Sequence, residues 1–216
     1  MSPQYEEGDT PPPEVAPASP PEEPVSTLHF PPLFNKYSFE GVEVHDVSLK
    51  AYIFAQAVYV PHSEGRLVNH PFSRARMHLV ERLANNLMRG GRHTGKKARA
   101  LNAVRQAFDI LAKSHPSENP LQTLVNAVEN AAPREMVTRL QFGGISVPRA
   151  VDTSPSRRLG VAIRNIAQGS LESGKKPGMT LGSALAKEID LASKGDMGSY
   201  AVAKKDEVER IAQSAR

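Results

Sequence analysis

In segment after segment beyond residue 47 the apolar residues recur every three or four positions, and one stretch there departs from that period. A core made from such a sequence has to be assembled from helices, because a sheet needs a two-residue alternation. From Ser73 to about Arg89 the stripe is Met77, Val80, Leu83, Leu87 and Met88, with Ser73 as a cap and Arg74, Arg76 and Arg82 largely outside it. From Lys96 to about Ser114 it is Leu101, Val104, Phe108 and Leu111. Asn119 followed by Pro120 opens a third segment carrying Leu121, Leu124, Val125 and Val128, and Pro133 stops it. Ser154-Pro155 repeats that start ahead of Leu159, Ile163 and Ile166. Thr180 caps Leu181, Leu185, Ile189 and Ala192, and a last helix over about 201–214 carries Val208, Ile211 and Ala212. A shorter helix after Asp46, with Leu49, Tyr52, Ile53 and Tyr59, ends before Pro61. Its tyrosines suit core packing better than base stacking.

The exception is 136–152. Two β-prone runs, Met136–Phe142 and Ile145–Asp152, flank Gly143-Gly144, which is the pattern of a β-hairpin. Pro148 argues against a central strand. With no other strands to join, the hairpin is an arm, either reaching into a groove with Arg134, Arg139 and Arg149 or lying as a surface flap. The fold class is therefore mainly α: a helical bundle of about six or seven helices with one protruding β-hairpin.

Residues 1–32 are of another kind. They hold ten of the eighteen prolines, six acids within the first thirty positions and no Lys or Arg. Such a composition cannot bury enough surface to offset ordering entropy, so a disordered N-terminal tail is expected, followed by one domain over 33–216. Its first part, 33–47, reads as an extended segment laid on the core.

The tail also hides a charge split. The net charge is +4, yet residues 31–216 carry 27 basic and 23 − 6 = 17 acidic residues, a net of +10. Within Arg66–Arg105 ten Lys and Arg face Glu81 alone. A cluster this one-sided points to a polyanion, with a solvated charged face as the alternative. At its centre is Arg89–Arg99, Arg-Gly-Gly-Arg-His-Thr-Gly-Lys-Lys-Ala-Arg, which reads as a flexible basic loop running onto a helix start. Glycine-freed N–H groups, a helix N-terminus and fixed cations together favour phosphate. A second Gly/Lys loop, Gly174–Gly178, contains Lys175 and Lys176. Arg157 and Arg158 sit in a first helical turn, against the helix dipole, a placement that a bound anion would relieve and that solvent screening would also tolerate.

Nucleotide hydrolysis does not fit. Gly90–Lys97 matches Gly-four-residues-Gly-Lys of a P-loop, but Lys97 stands where a metal-binding hydroxyl is required, and a helix rather than a buried strand precedes it. The chain has no cysteine, which excludes disulfides, thiolate metal sites and a Cys nucleophile. The seven histidines show no metal-ligand pair, and no nucleophile elbow is present. No enzyme activity and no cofactor are expected. The chain has no run long enough to span a membrane and no signal-peptide pattern at its start, so a cytoplasmic location is expected. A helix-turn-helix DNA regulator would need polar base readers on its second helix, where Asn102 and Gln106 are the only exposed amides expected. Basic groups spread over loops, a hairpin and helix starts suit a folded RNA gripped at several points.

Segment 81–99, Glu118–Leu121, Pro133-Arg134-Glu135, the Gly-Gly hairpin and Val151-Asp152-Thr153-Ser154-Pro155-Ser156-Arg157-Arg158 resemble the small-subunit ribosomal protein seven family, called protein five in eukaryotes. Gly198–Glu207 matches its archaeal and eukaryotic branch, and Ala103 departs from it where a larger aliphatic is usual. The resemblance implies binding to the 3′ major (head) domain of small-subunit rRNA and support of head assembly beside neighbouring head proteins. It also implies a position near the mRNA exit and exit-site tRNA. By matching position, Arg74, Arg76, Arg89, Arg92, Lys96, Lys97 and Arg99 would grip RNA, and we add His93, Arg134, Arg157, Arg158, Lys175 and Lys176 as candidates. The hairpin, with Arg139, Phe142, Gly143, Gly144 and Arg149, would approach the exit site.

Overall fold

The computed structural model describes residues 30–89 and 91–216. The expected tail, except for 30–32, therefore lies outside the described residues. Among the described residues there are seven α-helices: α1 (Val47–Lys50), α2 (Leu79–Leu87), α3 (Lys97–Ser114), α4 (Pro120–Asn130), α5 (Pro155–Ser173), α6 (Leu181–Ser193) and α7 (Tyr200–Ser214). One antiparallel pair, β1 (Glu135–Phe142) and β2 (Ile145–Asp152), stands between α4 and α5. The architecture is mainly α with a hairpin, as the periods imply. None of the described helices is long and apolar enough to cross a membrane.

The bundle is arranged around α6, which packs against α3, α4, α5 and α7. Small residues make this possible: Gly182, Ala184, Ala186 and Ala192 are buried with Leu185 and Ile189. Where α6 crosses α3, a Cβ on Gly182 would stand 2.8 Å from Cβ of Gln106. The remaining core is filled by Leu83 and Leu87 of α2, Phe108 of α3, Leu124 of α4 and Ile163 of α5. Helix α6 begins at a capping box, with Thr180 and Ser183 each bonding the other's backbone N–H.

The segment before α1 lies on this core, as expected. Leu33 is buried, while Phe34 and Tyr37 stand edge-on to Phe108 at centroid distances of 6.1 and 5.9 Å. The N–H of Glu43 and the carbonyl of the same residue bond the Gln122 side chain, which fixes the segment to α4.

Two expected helix limits differ. Asp46 does cap α1, its carboxylate accepting from the Ser48 N–H, but the helix ends at Lys50 and Tyr59 is exposed. Past Ala51 the chain turns extended at Ile53-Phe54, β-prone residues, and the carbonyl of Phe54 accepts from the N–H of Leu79 at 2.9 Å. That bridge competes with continuation of the helix. Ser73 does not cap α2. It opens a separate 3-10 turn, Ser73–Arg76, where its hydroxyl donates to the carbonyls of Leu67 and His70. The cap of α2 is His78, whose Nδ1 accepts from the N–H of Val80 at 3.2 Å. Helix α7 buries Ala201, Val202 and Ala212, while Val208 is half-buried and Ile211 half-exposed.

Candidate nucleic-acid interface

The basic loop leaves α2 through a 3-10 turn, Gly91–His93, and enters α3 at Lys97. Gly95 has φ +71, in the left-handed region that a side chain disfavours, and lets the loop turn into the helix. Lys96 Nζ donates to the carbonyl of Arg92 at 2.9 Å, closing the loop on itself. The helix then carries Arg99 outward.

The Gly/Lys loop between α5 and α6 comes to the same place. Together the two loops border a groove of about 1020 Å³, with Arg92, His93, Arg99 and Lys175 on its walls and Ala103, Leu171 and Leu181 on its apolar floor. Asn102, Gln106 and Gln168 add amides, and among the described residues Glu172 is its one carboxylate. Burial and the nearby cations Arg99, Lys96 and Arg92 hold the His93 imidazole below its ordinary range. The part that comes from the cations is what a bound anion would relieve. Lys176 is exposed beside the groove rather than in its lining.

A second, smaller cleft of about 400 Å³ lies between the Ser73–Arg76 turn, α2 and α5. It gathers Arg74, Arg89 and two arginines that were not among the RNA-binding candidates, Arg82 and Arg164. Arg82 was expected outside the α2 stripe. It is buried instead, because the chain over 52–54 and 72–77 covers that side of the helix, and six consecutive residues from Leu79 to Ala84 are buried. Arg164 had a signal: it follows Arg157 by seven residues, two turns along one helix face.

The remaining candidates separate into three groups. Arg76, Arg134 and Arg157 are exposed, with Arg134 donating its N–H to Glu209 at 2.8 Å. Arg139 and Arg149 are exposed on the hairpin, where Arg139 pairs with Pro148 and Arg149 with Thr138. They therefore occupy opposite faces. Gly143 and Gly144 have φ of +53 and +84, the two left-handed positions that a tight hairpin turn requires. Phe142 ends β1, and its side chain lies outside the described set.

Two cations are instead engaged inside the protein. Arg158 is buried, with its guanidinium on Asp46 at 2.8 Å, on the carbonyl of Pro133 at 3.2 Å and on the Ser48 hydroxyl. It ties the α5 start to α1. The charge it places against the helix dipole is balanced by an internal carboxylate, so no bound anion is needed to explain its position. Lys97 holds Glu81 at 2.6 Å, and Glu81 is buried and also accepts from the N–H and hydroxyl of Ser63. Ser154, expected to cap α5, makes no side-chain cap bond.

Residues 50–216 match the family described as ribosomal protein S7p/S5e. The chain belongs to this family. A small ribosomal subunit protein uS7 of Archaeoglobus fulgidus is 48% identical over 184 residues, covering 85% of this chain and 94% of that one. The uS7 of Thermoplasma volcanium is 48% identical with 85% and 100% covered, and that of Methanococcus aeolicus 49% identical with 85% and 98% covered. The S7p/S5e proteins are structural and non-enzymatic, in line with the mismatched P-loop: in the structure that loop follows helix α2 and no strand.

Proposed function

We propose that this S7p/S5e chain is a structural constituent of the small ribosomal subunit in the cytoplasm. In this reading, residues 33–216 act as one RNA-binding domain on the 3′ major (head) domain of the small-subunit rRNA. The relatives' name supports the subunit. The observation that carries the RNA reading is the large groove, in which two basic loops some eighty residues apart in sequence meet with few acids among them. Arg92, Arg99 and Lys175 neutralise phosphates of strands that would otherwise repel one another as they converge. Supporting head assembly follows from gripping several strands at once. The hairpin, exposed along most of its length, extends toward the mRNA exit and exit-site tRNA, and neighbouring head proteins meet the remaining surface.

A DNA regulator is the weaker reading, because Asn102 and Gln106 line a groove between α3 and the α5–α6 loop rather than a protruding recognition face. The test is filter binding across a salt series with head-domain RNA and with duplex DNA, together with co-sedimentation with small subunits after a high-salt wash. Tighter binding to the RNA and retention in the washed subunit are expected. Equal affinity for RNA and DNA would overturn the RNA assignment.

A further inference from the structure

The smaller cleft contains a guanidinium with nothing negative to hold. Arg82 is 6% exposed, and its guanidinium donates to the carbonyl of Tyr52 at 3.3 Å. Five N–H donors point from such a group, and a buried charge without a partner is costly. Among the described residues no carboxylate pairs with it, and none lines the cleft. The neighbours are of like charge: Arg74, Arg89 and Arg164 stand on the walls. Burial and Arg74 push the Arg82 pKa down to about 10, which leaves it charged at neutral pH. The other buried cation contrasts with it, since Arg158 has Asp46, and even the partly buried Lys97 has Glu81.

Phe72 lines the same cleft and is 90% exposed. Its φ is +59, a conformation uncommon for a bulky side chain. An apolar ring held in water on a strained backbone gains nothing for the fold. It is placed where a flat, apolar ligand surface would cover it.

We infer that the cleft between α2, α5 and the Ser73–Arg76 turn seats the backbone of an RNA strand, phosphate on Arg82, Arg89 and Arg164, with an adjacent unpaired base stacked on Phe72. This rests on the RNA-binding reading and adds a second seat apart from the large groove. Gly160 of α5 lines the cleft without a Cβ, which keeps its mouth open to the strand.

The test uses the full chain and head-domain RNA in a potassium chloride series. Arg164→Gln and Arg82→Met each lower affinity and reduce the salt slope by ~1, the share of one phosphate. Phe72→Ala weakens binding roughly tenfold, the scale of one stacked base, with the slope unchanged. Lys113→Gln, an exposed cation at the far end of α3, leaves both close to wild type. Should Arg82→Met lose helical circular dichroism, the two exposed variants, Arg164→Gln and Phe72→Ala, decide. If both bind as the wild type does, the cleft is no RNA seat while the RNA-binding function stands. A loss for Lys113→Gln equal to that for Arg164→Gln also overturns the site, as it would reflect general charge. Stabilisation by inorganic phosphate with RNA binding unmoved by these variants would mark a free-oxyanion site and overturn the inference. Failure of the wild type to bind this RNA removes the function itself and the seat with it.

Discussion

The imidazole of His78 does two things at once: it caps α2 through Nδ1 and fills a buried space 5.8 Å from the ring of Phe39 and 6.3 Å from that of Phe54. With Nδ1 accepting, the ring is neutral and its proton sits on Nε2. Burial pushes its pKa down to about 4, against a weaker upward pull from Glu81. The folded chain therefore binds a proton less readily than the unfolded one, whose histidine titrates near its ordinary value. Stability from this residue is complete above about pH 6.5 and is lost as pH falls toward 4, by about 3 kcal/mol in all. Urea unfolding at pH 7 and pH 4.5 checks this against His78→Asn, which keeps a capping oxygen and cannot titrate. The wild type should lose about 2–3 kcal/mol more than the variant over that interval, and equal losses would show that the ring does not titrate there.

Lys96 and Lys97 are neighbours with unlike duties. Burial raises the Glu81 carboxyl, but hydrogen bonds from Lys97 and Ser63 outweigh it and hold the group below the usual carboxylate range. Lys97→Ala would strand that buried carboxylate and cost about 3 kcal/mol. Lys96→Ala should cost little stability and flatten the RNA salt slope by ~1. Urea titration and filter binding separate the two, and equal stability losses would refute the division. The sequence shows a run of cations but not which of them an internal carboxylate has claimed. Glu81, Asp46 and Ser48 lie 16, 112 and 110 positions from the cations they hold, beyond any local pattern.

Among the elements, helix starts with a strong local signal were legible. Asn119 accepts from the N–H of Leu121 ahead of Pro120, and Thr180 closes a capping box. Elements α3 to α7 and the hairpin follow from period and turn chemistry alone. The start of α2 was not legible, because Ser73 and His78 compete for the cap and a bridge to Phe54 decides between them. Nor was the role of two glycines in α5 legible, and they make opposite predictions. A Cβ at Gly169 would stand 2.7 Å from Cβ of Tyr200 and 3.0 Å from the Glu188 carboxylate, itself bonded to the Ser199 hydroxyl and the Ala201 N–H. Gly169→Ala should therefore destabilise by about 1–3 kcal/mol, even though alanine is the better helix former. At Gly160 a Cβ meets nothing within 4 Å, so Gly160→Ala should stabilise by about 0.5–1 kcal/mol. Chemical denaturation of both variants tests the assignment. A gain at Gly169 would mean that α5 and α7 can separate there without loss.

For the whole molecule, charge is divided along the chain more sharply than the net of +4 suggests. The six acids of the first thirty positions face no basic residue among themselves, while the remainder carries +10. Both grooves described here belong to that remainder. Acidic residues on the same chain screen its field at distances beyond contact, and they do so wherever they lie within about a Debye length of the basic surface. Removal of residues 1–29 takes away all six acids and leaves Leu33 and the aromatic contacts to Phe108 in place. Helical circular dichroism and thermal stability should be unchanged. Affinity for an arbitrary RNA should rise several-fold at ~0.05 M salt, where the Debye length exceeds about 10 Å, and the gain should vanish toward ~0.5 M. Binding to head-domain RNA should gain less than binding to arbitrary RNA, since in the proposed function part of its affinity comes from close contacts that charge screening does not reach. The ratio of the two affinities across a salt series is the measurement. A gain that persists undiminished at high salt would mean that the first 29 residues compete by contact, not by charge alone, and no gain at any salt would mean that their acids do not reach the field of the grooves.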